Sequence, residues 1–133
     1  MFNKAVLVSR ILLGLAFVIF GINGLMFVTM GNGFIPAPPP SEAMMPVMTG
    51  FMATKYLMPL VKILEIVAGL LLLCGCYTNL ALVILAPIMV NIIGIHLFVD
   101  MSGLPVAIIF TILYLIVFKS RSGSFKALLC DKN

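Results

Sequence analysis

Lys62 and Glu65 stand three residues apart near one end of "LVKILEIVAGLLLLCGC", an apolar run over residues 60–76 long enough to cross a bilayer. Helical neighbours at that spacing meet, so the ammonium and the carboxylate can pair. A charged group at the bilayer centre costs about 2.5–3.5 kcal/mol on insertion scales, so the pair needs a partner or a purpose. Two chemistries fit. One is a self-neutralising pair that fixes packing while Lys62 snorkels to the outer surface. The other is a functional pocket in which Lys62 donates to a ligand oxygen and Glu65 handles a proton. Glu65 lies about 12 Å below the outer end of its helix by the helical rise, which is too deep for easy snorkelling.

Further polar residues fall at comparable depth. By the same rise, Asn91 lies about 12 Å and Asn23 about 10 Å from the outer ends of their helices, so both are expected at the level of Glu65. His96 and Asp100, at i,i+4 spacing, lie nearer the outer mouth and suit either an interfacial hydrogen bond or a proton relay toward Glu65. His96 points about 140° away from Asn91 around the helix, so the two share the central seam only at a corner of the bundle. Arg10, near the opposite end, is expected to snorkel to headgroups. Its alternatives are a bond to Tyr114 or a long reach toward Glu65.

These residues must be positioned by helices, because backbone polar groups in lipid have no water partners and bond within their own segment. Four apolar segments supply them, over 5–30, 57–76, 80–99 and 104–118. The fourth spans only about 22 Å by the helical rise, so it is expected to borrow residues at its ends or to thin the bilayer. The connections "YTN" and "DMSGL" are short, which makes the joined helices antiparallel neighbours. The fold class is therefore all-α, a transmembrane four-helix up-down bundle in one domain over residues 1–133. Its one long connection, 31–55, is Pro/Met-rich. It opens with "GNGFIPAPPP", where Pro and Gly forbid a regular helix, and continues as "SEAMMPVMTGFMATKY", apolar enough for a short helix on the membrane surface or over the bundle mouth. At about 100° per residue, Met58, Lys62, Glu65, Gly69, Leu72 and Cys76 form one stripe, and Arg10, Gly14, Phe17, Gly21 and Gly24 another. Glycine admits close backbone approach, so the stripes are expected to face each other.

Composition sets the class. Of 133 residues, 63% are hydrophobic and 9% charged, and the mean hydropathy is +1.28, as in integral membrane proteins. The net charge of +4 follows membrane topology and implies no nucleic-acid partner. Lys4 and Arg10 precede the first helix and Lys119, Arg121, Lys126 and Lys132 follow the last, as a tail over 119–133. By the positive-inside rule both termini are cytoplasmic, in a cell inner membrane, with the long loop on the other side. The first segment outlasts a signal-peptide core and lacks an A-x-A-like cleavage site, so it is expected to remain as a helix.

Other chemistries find less support. Cys74 and Cys76 point about 200° apart on a helix, which forbids an ordinary disulfide. Met44, Met45, Met48 and Met52 suit Cu(I) by softness, but that loop has no His or Cys to complete a site, and no metal is expected. Phosphate-loop, nucleophile-elbow and zinc signatures are lacking. A quinone or other lipid-like ligand fits better, needing apolar walls and a few polar groups.

The opening "RILLGLAFVIFGINGL", then "YLMPLVKILEIVAGLLLLCG" with its Lys-x-x-Glu, and a third helix ending "MVNIIGIH" together resemble the DoxX family of small four-helix membrane proteins over nearly the whole chain. The resemblance implies a four-helix bundle with Arg10, Lys62, Glu65 and His96 as a family-like polar set. For some members it implies a place in membrane redox chemistry, as in thiosulfate:quinone oxidoreductase or complexes handling thiol and oxidative stress. The expectation is a redox-associated subunit that touches quinone, with a redox partner protein or a second copy, rather than a self-contained enzyme. Other DoxX-like proteins are membrane chaperones or cargo receptors. A non-enzymatic assembly factor or small-solute carrier is therefore the alternative.

Overall fold

A computed structural model of the chain describes residues 2–130. Lys132, counted above among the basic residues, lies outside them. Helices are the regular structure of the described residues: α1 Phe2–Met30, α2 Met44–Ala53, α3 Leu57–Cys74, α4 Thr78–Phe98, α5 Leu104–Ser120 and α6 Ser122–Leu129. Four of them are long and apolar enough to cross a membrane. The last gains length from a 3₁₀ turn, Met101–Gly103, that runs directly into α5. Together they span 20 residues, about 30 Å, rather than the 22 Å of the apolar run alone.

Glycines set how close the helices come. A Cβ on Gly14 would lie 2.9 Å from the carbonyl oxygen of Gly69, and one on Gly69 would lie 2.8 Å from that of Gly14. The backbones of α1 and α3 therefore touch, which maximises dispersion contacts where lipid gives no hydrophobic drive between helices. Lower in the bundle Leu13, Phe17, Leu72, Leu82, Leu85 and Val117 are fully enclosed. Phe17 meets Phe110 of α5 with ring centroids 5.7 Å apart, tilted by 57°. Outward faces carry Leu12, Ile19, Val67, Leu70, Val83 and Leu115, all exposed, as lipid contact requires.

Helix ends follow local chemistry. Gly75, at φ +71°, stops α3 in the left-handed conformation. Cys76 consequently lies past the helix, and the stripe that begins at Met58 ends at Leu72. Pro105 occupies the first turn of α5, where its missing N–H costs nothing. Within the long connection, α2 forms the short helix expected there, after a proline run. The segment 119–133, read as a tail, instead contains α6. Its Phe125 stacks on Phe118 at 4.9 Å, and Phe118 in turn lies 6.1 Å from Tyr114, so one aromatic column fastens α6 to the bundle.

Candidate functional site

Glu65 is buried on α3, with a side chain 6% exposed. Lys62 reaches it across one helical turn. Its Nζ donates to both carboxylate oxygens, at 3.3 Å from Oε1 and 3.2 Å from Oε2. It is the one ion pair among the described residues. Gly24 makes room for it: a Cβ there would lie 2.6 Å from Lys62 Cδ and Cε and 3.2 Å from Nζ. The lysine stem thus fills the notch where α1 lacks a side chain, and its ammonium is aimed inward.

Above this pair lies a cavity of about 450 Å³ whose walls are mostly apolar, with Asn23 among the lining residues. Gly24 and Phe27 of α1 form one side, Met58 of α3 the base, and Met44, Met48 and Met52 of α2 the cover, with Pro38 to Pro40 closing the edge. The three α2 methionines recur every fourth residue and so share one helix face. Met45, considered with them as a soft ligand, is exposed and does not line the cavity. Flexible thioether chains suit an apolar wall that adapts to its contents. Among the described residues no group of three or more His, Cys, Asp or Glu side chains is placed to hold a metal ion.

The long connection that forms the cover is clasped at both ends. Asn23 Oδ1 accepts the Ile35 N–H at 2.9 Å, and a Cβ on Gly33 would strike the same Asn23 amide. The Ser41 hydroxyl donates to Asp100 Oδ2 at 3.1 Å, while Asp100 Oδ1 accepts the Ser102 N–H at 3.0 Å. The N–H and then the hydroxyl of Ser102, with that of Ser41, hold the Asp100 carboxyl below its ordinary value, because they favour the charged form.

Several expectations for the polar cluster change. Asn23, expected at the level of Glu65, spends its oxygen on the loop and lines the cavity. Asn91 lies on the exposed outer face of α4, where its amide donates to the Pro87 carbonyl at 2.8 Å. Packing of α4 against α3 and α5 turns Asn91 away from the seam. His96 faces inward enough to be half-buried, but its Nδ1 meets the carbonyl oxygen of Asp100 at 3.1 Å rather than the carboxylate, and its ring packs on Gly103. Arg10 lies against Gly75, about 15 Å farther along α3 than Glu65 by the helical rise. Tyr114 does not bond it, since the phenol donates to the Leu82 carbonyl at 2.8 Å. Cys74 and Cys76 are exposed free thiols, the second beyond the helix end. Of the six candidates, Lys62 and Glu65 are brought into direct contact, Asn23 holds the loop, and Arg10, Asn91 and His96 lie apart from that pair. A short helix over the bundle mouth was one of the two placements expected for this segment; the cavity beneath it was not foreseen, although the Met44, Met48, Met52 spacing was its signal.

A family model described as DoxX matches residues 5–117, most of the chain. No curated protein and no solved structure is matched.

Proposed function

The chain belongs to the DoxX family, and on that premise we propose that it is a redox-associated membrane subunit. In this reading it takes a quinone, or another lipid-like molecule with a carbonyl oxygen, into the cavity under α2. The observation that carries it is the contact of Lys62 with Gly24: Gly24 lines the mostly apolar cavity, and the lysine stem lies directly behind it. Apolar walls with one or two polar groups at a fixed place are what such a ligand needs. Lys62 Nζ donates to the ligand carbonyl, and Glu65 accepts or returns a proton. Reduction of a quinone to the quinol takes two electrons and two protons. The electrons come from a redox partner protein, and both protons are drawn from water, one of them by way of Glu65.

The clustering of Lys4, Arg10, Lys119, Arg121 and Lys126 toward the terminal end supports cytoplasmic termini in an inner membrane, with the cavity toward the opposite surface. Mass spectrometry of the lipid extract from detergent-purified protein tests the ligand. Wild type retains a quinone or comparable molecule, and Glu65→Gln and Lys62→Met at equal folded yield lose it. Retention unchanged in both variants removes the pair from any ligand site and moves the protein to the assembly-factor or solute-carrier reading.

A further inference from the structure

At the terminal end of the bundle, far from the cavity under α2, lies a second, more polar cleft of about 420 Å³. Arg10 of α1, Thr78 of α4, and Ser120 and Arg121 at the end of α5 line it, with Gly75 at its base. The cleft offers donors and few acceptors. Thr78 is 3% exposed, yet its Oγ1 has no hydrogen-bond partner, an arrangement that costs free energy unless something accepts from it. Thr78 also begins α4. The preceding Tyr77, held at φ +53°, gives that helix no side-chain cap. Among the described hydrogen bonds none uses the N–H groups of Thr78, Asn79 or Leu80 as donors, so the positive end of a 21-residue helix opens there uncapped. Ser120 contributes no donor, because its hydroxyl is committed to the Val117 carbonyl at 2.5 Å.

Charge completes the pattern. No carboxylate among the described residues pairs with Arg10 or Arg121. Glu42 and Asp100 belong to the opposite end, Glu65 is committed to Lys62, and the fourth acidic residue, Asp131, lies outside the described residues. A guanidinium from α1, Thr78 at the start of α4, and a second guanidinium after α5 line one space from different elements. Divergent donors of this kind suit a tetrahedral oxyanion better than a flat carboxylate. We propose that this cleft binds a phosphate group, carried by an anionic phospholipid headgroup or as a free ion. The proposal is independent of the quinone reading.

The test uses the full-length protein with two probes. Inorganic phosphate is titrated by equilibrium dialysis in zwitterionic detergent. Phosphatidylglycerol retention is measured by native mass spectrometry after extraction from nanodiscs of phosphatidylglycerol and phosphatidylcholine. Thr78→Val removes the unpaired hydroxyl at constant shape and folds at least as well as wild type, while Arg10→Gln removes the half-buried guanidinium fork. Each is expected to weaken binding about tenfold, the loss of one hydrogen bond to a charged group. Lys126→Gln, outside the cleft, leaves it unchanged. Phosphatidylglycerol retention competed by phosphate identifies a headgroup site, whereas phosphate binding alone identifies a soluble anion. Binding of neither probe, wild-type binding by Thr78→Val, or an equal loss in Lys126→Gln overturns the proposal.

Discussion

Gly14 and Gly69 each present the space of a missing side chain to the other's carbonyl oxygen, and a Cβ on either would come within 2.9 Å of it. The contact is backbone against backbone, so no rotamer change relieves a substitution. Gly69→Ala, which also meets the Val18 nitrogen at 2.9 Å, is expected to destabilise the bundle by about 1–3 kcal/mol, the usual range for overpacking. Gly50→Ala in α2 is the matched control, since nothing lies within 4 Å of its Cβ position. It should be neutral or mildly favourable to the helix. Thermal unfolding of both in one detergent checks the pair.

Gly24→Ala tests the site without touching a charge. Its methyl overlaps the Lys62 stem, a flexible group that can move aside, so the fold survives and the ammonium leaves its place beside Glu65. The expected result is loss of the retained quinone at normal folded yield, read from the same lipid extracts.

Tyr114→Phe deletes the phenol that donates to Leu82 and keeps the ring in its column with Phe118. A cost of about 0.5–1.5 kcal/mol is expected, that of one hydrogen bond. Ligand retention should be unaffected, because Tyr114 lines neither the cavity nor the cleft.

The loop clasp at Asp100 should respond to acid. A carboxyl whose folded value is lowered contributes stability that is full above its unfolded value and is lost as pH falls through the folded one. Donors from Ser102 and Ser41 lower Asp100, so the clasp holds at neutral pH and releases below the ordinary Asp value of about 3.9. Hydrogen exchange at the start of α2, where the Met44 N–H reaches Ser41 Oγ at 3.3 Å, should accelerate over that range. Asp100→Asn should remove the pH dependence.

The parts of this architecture that were legible in the sequence are those the bilayer enforces. Long apolar runs, short connections and two glycine stripes follow from needs that any four-span bundle shares, and Lys62 and Glu65 lie three apart on any helix. Depth alone did not give the partners of Asn23 and Asn91. Equal height in the membrane does not fix rotation about a helix axis, which for α4 is set by packing on its neighbours. The partner of Asn23 is a loop amide twelve residues on, and irregular backbone leaves no periodic trace. The helix α6 was missed because "SGSFKALL" is short and partly polar, and it is anchored by Phe125 reaching a ring in another helix. Thr78 carried no signal of its own, since its importance lies in a hydroxyl left without a partner.

The seam between α1 and α3 has two kinds of closure. At Gly14 and Gly69 main chain meets main chain, and nothing there can step aside. At Gly24 the gap is filled by the aliphatic stem of Lys62, which can swing out about its own bonds. The two helices are therefore riveted near their middle and latched near the cavity. When the latch lifts, what loosens is the join between two helices that are each long and apolar enough to cross a membrane, while the join at Gly14 and Gly69 stays shut.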